Sequence, residues 1–240
     1  MNILIIGGGY VGLATAYLFR NHSIDILDTD PIQLERINKG EFPIQANTYC
    51  NQPNKYYDVV FICVPTVGKE GRLDTSIVES CIAKSKVLTT CIVVRSTVPI
   101  GFCDKHGVDF MPEFLTEAKL FDYNRLVYGS DDHSNSLPLE DVLLCTTQEA
   151  ELIKLGSNAY LSTRLAFFFE IMTQCQLIGL DFDTVKEGIC SDPRIGFLYA
   201  EKPFTIAGKC LPKDLSELTL FTNSPLLHGV LEIQKRQKGA

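Results

Sequence analysis

The sequence predicts an α/β protein in which a doubly wound parallel sheet is followed by a helical region built around one long helix. Through the first 147 residues, continuous apolar runs alternate with segments of helical spacing. This alternation is typical of parallel sheets covered by helices on both faces. From Gln148 to about Leu180 the apolar residues follow one long helical pattern instead. We therefore expect two domains, residues 1–147 and residues 148–240.

Composition and charge narrow the class of protein. The chain has 240 residues, of which 45% are hydrophobic and 21% charged, so a globular fold with a substantial core is expected. The formal net charge of −7 argues against nucleic acid or an anionic membrane surface as the partner. The nine cysteines form no CxxC pair, so neither a metal site nor a disulfide framework is expected. The chain shows no membrane span or signal peptide, and we expect a cytoplasmic protein.

The N-terminal segment predicts a dinucleotide site. An apolar run at 2–6 is followed by glycines in the GxGxxG spacing at 7–12, a helical pattern, a second apolar run at 23–27 and Asp28. Such glycines permit a tight turn and let a pyrophosphate approach backbone N–H groups. A carboxylate about 20 residues later can bind the ribose 2′-OH. We therefore predict a Rossmann domain that binds NAD rather than NADP; the alternative is a strand–helix turn without a ligand.

Three polar residues follow directly on predicted strand ends. Further strands are predicted at 57–64, 92–95 and 108–111, with a helix at 76–88, and the segments 126–128 and 142–145 could be additional strands. Ligands of doubly wound sheets bind beyond the carboxyl ends of the strands. Thr66, Thr97 and Glu113 lie just past such ends and are candidate site residues. Taken singly, each could equally be a turn-forming polar residue.

The long helix carries a lysine in apolar surroundings. Lys154 and Asn158 lie four residues apart and therefore share a helix face. The lysine either extends along the helix to solvent or is a buried charge with a function. The helix is apolar around much of its circumference, so a second subunit could cover its spare face. Further helices are predicted at 182–190, at 212–221 and from 225 to the C-terminus.

Cys210 lies just before the predicted helix that begins at Pro212. Unsatisfied N–H groups at a helix N-terminus favour a thiolate, which is the reactive form of cysteine. Asp214 lies four residues later, so on a continuous helix it would share a face with the thiol. The alternative is that Cys210 is a small buried hydrophobic residue.

Seven motifs in order over most of the chain resemble those of the UDP-glucose/GDP-mannose dehydrogenase family. They are GGGYVGL (7–13), FICVPT (61–66), RSTVPIG (95–101), MPEFLTEAK (111–119), AELIKLGSNAYL (150–161), DPRIG (192–196) and GKCLPKD (208–214). The resemblance implies NAD-dependent oxidation of a nucleotide-sugar alcohol to a carboxylate, with UDP-glucose the favoured substrate. It also implies a homodimer formed through the long helix.

The resemblance also implies a role for individual residues. Cys210 matches the nucleophile that forms a thiohemiacetal and then a thioester. Lys154 and Asn158 match the groups that stabilise an oxyanion. Asp214 matches the carboxylate that works with the lysine and a water, and Glu113 and Glu117 match the pair that acts on water in thioester hydrolysis. The implied cofactor contacts are Gly7, Gly9, Tyr10, Val11, Gly12, Asp28, Pro65, Thr66 and Thr97.

The sequence departs from the family pattern near its end. It stops at Ala240, soon after Asp214, where the family continues into a domain that holds the substrate nucleotide. Thr205, Ala207 and Lys209 stand where small glycines are expected. These departures leave two alternatives open. One is a dehydrogenase for a smaller or different sugar, and the other is a non-catalytic, dimerising remnant that binds NAD.

Overall fold

The computed structural model describes residues 1–69, 71–115, 121, 125–131, 137–200 and 210–239. The chain divides into two compact units. The first consists of Met1–Val67 and Leu73–Lys154, and the second of Gly68–Arg72 and Leu155–Ala240. The domain boundary expected after residue 147 lies a few residues before this division and stays a prediction.

The described strands form one large sheet and one small one. In chain order they are β1 (Asn2–Ile6), β2 (Ser23–Leu27), β3 (Asn47–Tyr49), β4 (Val59–Ile62), β5 (Gly68–Lys69), β6 (Arg72–Leu73), β7 (Ile92–Val94), β8 (Asp109–Phe110), β9 (Leu126–Gly129) and β10 (Val142–Cys145). Strands β5 and β6 pair with each other, and the other eight have the order β10-β9-β8-β7-β4-β1-β2-β3. Strands β2 and β3 are added on one side of β1, and β4 and the later strands of this sheet are added on its other side. The strand order therefore reverses between β1 and β4.

The helices confirm the predicted fold class, an α/β sheet region followed by helices that include one long one. They are α1 (Tyr10–Leu18), α2 (Pro31–Asn38), α3 (Ser76–Ser85), α4 (Phe102–His106), α5 (Thr147–Ile178), α6 (Phe182–Cys190), α7 (Cys210–Thr222) and α8 (Pro225–Gly239). The predicted long helix is α5, which runs from the first unit into the second. No helix in the described ranges has both the length and the apolar character that crossing a membrane requires.

The central strands are covered on both faces, as a doubly wound sheet requires. Leu4 and Val60 belong to a core cluster on one face, with Val78 of α3. Ile5 and Phe61 belong to the cluster on the other face, which also includes Leu13 of α1. Side chains that alternate along β1 and β4 thus bury both faces, which explains their continuous apolar runs.

The predictions did not include strands β3, β5 and β6 or helix α4, and three further features differ from them. Strand β9 is antiparallel to β8, whereas an all-parallel sheet was predicted; an antiparallel strand near the edge of such a sheet is common. Helix α2 was not predicted, although Asp30 caps it by accepting from the N–H of Ile32, and Pro31 occupies its first position. Helix α7 begins at Cys210, two positions before Pro212, because a proline within the first turn removes no intrahelical hydrogen bond.

Candidate active site and cofactor cleft

The glycine turn after β1 requires two of its glycines for packing. Gly7 has a φ of +100°, and a Cβ there would come within 2.6 Å of the Cys63 carbonyl oxygen. A Cβ at Gly12 would collide with the carbonyl oxygen of Gly7. At Gly9, by contrast, a Cβ would meet nothing within 4 Å. The turn is thus tightly packed at Gly7 and Gly12 but open at Gly9, directly before α1, where an anion can approach the helix N-terminus.

Asp28 is held firmly at the end of β2. Its Oδ2 accepts a hydrogen bond of 2.5 Å from the Gly8 N–H, and its Oδ1 accepts one of 2.8 Å from the Asp30 N–H. A carboxylate has about four acceptor sites, so both oxygens can still accept from a ribose.

A cavity of about 550 Å³ lies beside this carboxylate. At the ends of β1, β2 and β4 the cavity is lined by Gly7, Asp28, Val64 and Pro65. Residues of α3, such as Lys84, also line it. The cavity lies next to the point where the strand order reverses between β1 and β4, and doubly wound sheets bind ligands at such a point. Its volume is typical of sites that bind small molecules. The cavity, the open glycine turn and the fixed carboxylate therefore fit a dinucleotide.

The two predicted threonines lie next to each other. The Thr66 hydroxyl donates to the Thr97 carbonyl oxygen at 2.8 Å, and both residues are buried. The neighbouring Ser96 hydroxyl donates to the Val64 carbonyl oxygen at 2.6 Å. These bonds tie the segment after β4 to the segment after β7.

Glu113 and Lys154 form a buried ion pair in the first unit. The Lys154 Nζ lies 2.9 Å from Glu113 Oε1 and 2.6 Å from the backbone oxygen of the same residue. Burial alone would raise the pKa of Glu113, but the adjacent ammonium and hydrogen bonds hold it below its usual value. The lysine also lies over the Phe114 ring, 5.6 Å from its centroid. Lys154 is therefore a buried charge and does not extend to solvent.

Sequence reasoning did not single out Glu151, which lies on α5 one turn before Lys154. Its carboxylate is fully buried and accepts from the N–H groups of Gly101 and Cys103 at the start of α4. Burial raises the pKa of this carboxyl, although the backbone hydrogen bonds oppose the effect. Glu151 thereby ties α5 to the segment that carries Thr97, a contact between residues 50 apart that no local pattern reveals.

The second unit contains a polar cluster around Asp214. This carboxylate is fully buried; its Oδ2 accepts from Asn158 Nδ2 at 2.6 Å and its Oδ1 from Lys213 Nζ at 2.6 Å. Cys210 lies one turn earlier on α7 and is exposed, so it is not a buried hydrophobic residue. The structure thus brings Asn158 and Asp214 together and shows Lys213 as a third member of their cluster.

The remaining predicted site residues are placed as follows. Tyr10 is exposed and Val11 partly buried, and both lie in the first turn of α1, whose N–H groups have no intrahelical partner. Glu117 lies outside the described residues, as do Thr205, Ala207 and Lys209.

Comparison with known proteins places this site in a family context. Residues 148–232 match the family model described as the central domain of the UDP-glucose/GDP-mannose dehydrogenase family. A UDP-glucose 6-dehydrogenase of Streptococcus pneumoniae is 32% identical, and the match covers 99% of this chain and 74% of that protein.

Solved structures share the fold. A UDP-D-ManNAc dehydrogenase of Pyrococcus horikoshii superposes with a TM-score of 0.86 at 21% identity, over 99% of this chain and 69% of that one. A UDP-glucose dehydrogenase of Pyrobaculum islandicum gives a TM-score of 0.83 at 24% identity, over 98% of this chain and 68% of that one.

Proposed function

Because the chain belongs to the UDP-glucose/GDP-mannose dehydrogenase family, we propose that it oxidises a nucleotide-sugar alcohol to the carboxylate with NAD. UDP-glucose, oxidised to UDP-glucuronate, is the favoured substrate, since the relative from Streptococcus pneumoniae is named for it. One observation carries the proposal: Lys154 and Asn158, four residues apart on α5, are both buried and each is bonded to a carboxylate.

The first unit supplies the cofactor site in this proposal. Asp28 would accept from the adenosine ribose, and the backbone N–H groups of Gly9, Tyr10 and Val11 would bind the pyrophosphate. The tight turn depends on two glycines, Gly7 and Gly12. Three further proposed contacts lie beyond strand ends on the same edge of the sheet: Pro65, Thr66 and Thr97. NAD, when bound, would accept a hydride in each of two oxidation steps.

Cys210 would carry the covalent chemistry. The first oxidation converts the sugar alcohol to an aldehyde, and the thiolate adds to its carbonyl carbon to give a thiohemiacetal. The second oxidation converts this adduct to a thioester, from which water releases the carboxylate and the free thiol. A covalent adduct suits a four-electron oxidation because the aldehyde is not lost between the steps. Cys210 is an exposed residue at the start of α7, as this role requires.

Lys154 and Asn158 would stabilise the oxyanion that develops at the reacting carbon. Two donor contacts of the ammonium go to Glu113, which leaves its third N–H for this purpose. The Asn158 amide donates one N–H to Asp214 and has a second N–H to donate. The existing bonds would hold both groups in place before the reaction.

The carboxylates would move protons. Asp214 would work with Lys154 and a water as the acid/base of the oxidation, and its bonds to Asn158 and Lys213 fix its orientation. Glu113 and Glu117 would act on the water that hydrolyses the thioester. The lowered pKa of Glu113 keeps this carboxylate ionised, so that it can accept a hydrogen bond from that water and orient it.

We also propose that the protein acts as a homodimer in the cytoplasm. Helix α5 exposes large apolar side chains, among them Tyr160, Phe167 and Leu177, which a second copy would cover. Light scattering should therefore give the mass of two chains, and a monomeric mass would contradict this part of the proposal.

NADH formation tests the function. Wild type, Cys210→Ser and the control Cys91→Ser are assayed with UDP-glucose and GDP-mannose, and NAD binding is measured by calorimetry. We expect turnover by wild type and the control and none by Cys210→Ser. Binding of NAD without turnover on either sugar would favour the non-catalytic alternative, and absence of NAD binding would contradict the cofactor.

A further inference from the structure

We infer that Gln33 is a positioning residue for the dinucleotide, because its side chain orients the peptide group that presents the Gly9 N–H. This inference rests on the proposed binding of NAD. It concerns a residue of α2 that lies outside the glycine turn itself.

The Gly8 backbone is held from both sides by side chains. Its N–H donates to Asp28 Oδ2 at 2.5 Å, and its carbonyl oxygen accepts from Gln33 Nε2 at 2.6 Å. Both partners come from distant positions, 20 and 25 residues along the chain. Gly8 also fits closely, since a Cβ there would come within 3.2 Å of Asp28 Oδ2 and 3.3 Å of Ile37 Cδ1. The centre of the turn is therefore fixed by tertiary contacts.

Neighbouring contacts define which end of the Gln33 amide faces Gly8. Arg36 Nη1 donates to Gln33 Oε1 at 3.3 Å, which leaves the amide nitrogen to donate to the Gly8 carbonyl oxygen. Arg36 is itself held by Glu41, with a distance of 2.8 Å between Nε and Oε2, and its guanidinium lies 5.0 Å from the centroid of the Phe42 ring. The orientation of Gln33 is therefore set by a connected series of contacts along α2.

The consequence for a ligand follows from peptide geometry. The Gly8 carbonyl and the Gly9 N–H belong to one planar trans peptide group, so they point in opposite directions. When Gln33 holds the carbonyl oxygen, the Gly9 N–H points away from Gln33. The turn is open at Gly9, where a Cβ would meet no atom within 4 Å. Because the Gly8 N–H is already bound to Asp28, the N–H of Gly9 is the first donor of the turn that a pyrophosphate can use.

Two substitutions separate this role from a general effect on stability. Gln33→Met keeps the length of the side chain but removes the donor. Gln33→Glu keeps the shape and the bond to Arg36 but places a second acceptor against the Gly8 carbonyl. Gln148→Met is the matched control, since this exposed glutamine likewise donates through its side chain, to Asp104 at 3.1 Å, and is not one of the proposed cofactor contacts.

Two measurements read out the role. Calorimetry gives the NAD dissociation constant, and hydrogen–deuterium exchange of the cofactor-free protein reports on the peptide that contains residues 7–12. We expect Gln33→Met to weaken NAD binding by about tenfold, because the ligand must then order a turn that Gln33 no longer holds, and Gln33→Glu to weaken it further. Exchange in the turn should become faster in both, with the melting temperature close to that of wild type and the control unchanged.

The outcomes are distinguishable. Wild-type affinity in Gln33→Met, or unchanged exchange in the turn, would overturn the inference. If wild type binds no NAD, the proposed cofactor is wrong and the role of Gln33 toward it falls as well. Faster exchange in the Gln33 variants would in that case still show that Gln33 holds the turn. Hydrogen–deuterium exchange therefore distinguishes a failure of the inference about Gln33 from a failure of the proposed cofactor.

Discussion

Lys154 and Glu113 form an ion pair of 2.9 Å in which the side chains are only 4% and 14% exposed. The lysine bonds the carboxylate and the backbone oxygen of the same residue, 41 positions away. Two charges so far removed from water need each other, because an uncompensated charge in this position is costly. The pair therefore couples the start of α5 to the segment after β8.

Removing the ammonium should destabilise the fold. Lys154→Met leaves the Glu113 carboxylate buried without its cation, and we expect the free energy of unfolding to fall by about 3 kcal/mol in urea titrations. Lys39→Met is the control, because its partner Glu35 is exposed and such pairs contribute about 0.5 kcal/mol or less. Equal effects of the two substitutions would contradict the assigned burial.

The contribution of Glu113 should depend on pH. Its pKa is lowered in the folded state, so its stabilising contribution is present above the pKa of an unfolded glutamate and is lost as the pH falls through the folded value. The stability difference between wild type and Glu113→Gln should therefore stay nearly constant from neutral pH to about pH 5 and shrink as the pH falls below about 4. A difference that grows on acidification would contradict the lowered pKa.

Two glycines of the same turn should respond differently to alanine. Gly12→Ala forces a Cβ against the Gly7 carbonyl oxygen, so it should lower the melting temperature and weaken NAD binding. Gly9→Ala meets no steric obstacle in the protein and has a φ of −71°, so it should leave the melting temperature nearly unchanged. It should nevertheless weaken NAD binding if the pyrophosphate approaches there. A Gly9→Ala protein with wild-type affinity would place the phosphates elsewhere.

The bond between Asn158 and Asp214 predicts a marked effect of a single-atom change. Asn158→Asp replaces the amide donor with a carboxylate next to the buried Asp214 carboxylate. We expect a loss of stability greater than that of Asn158→Ala, which removes one hydrogen bond at a cost of about 1–3 kcal/mol. Thermal melts at neutral and mildly acidic pH provide the test. The excess loss should diminish in acid as one of the two carboxyls takes up a proton.

Local patterns predicted most of the fold. The bounds of β1, β2 and β10 agree with the predicted strands. Strand β1, which is covered on both faces, is apolar after Asn2 and ends before a glycine, as buried parallel strands commonly do. The short helix α2 was missed although the cap at Asp30 and Pro31 marks its start, because its eight residues bury only Leu34 and Ile37. The direction of β9 depends on pairing with β8, which periodicity does not encode.

The candidate site was predicted in part. The glycine turn, Asp28 and the pair Lys154 and Asn158 follow from spacing and from the family motifs. The contacts of Gln33 and Glu151 could not be predicted, because their partners lie 25 and 50 residues away and only the folded chain brings them together. Spacing alone places residues on one face, but it does not identify what they bind.

The number of NADH molecules formed per nucleotide-sugar consumed tests most directly the claim that Cys210 carries a four-electron oxidation. With UDP-glucose as substrate, we expect two NADH for each UDP-glucuronate released by wild type, and no UDP-glucuronate from Cys210→Ser. One NADH per sugar with release of the aldehyde, or UDP-glucuronate formation by Cys210→Ser at the wild-type rate, would contradict it.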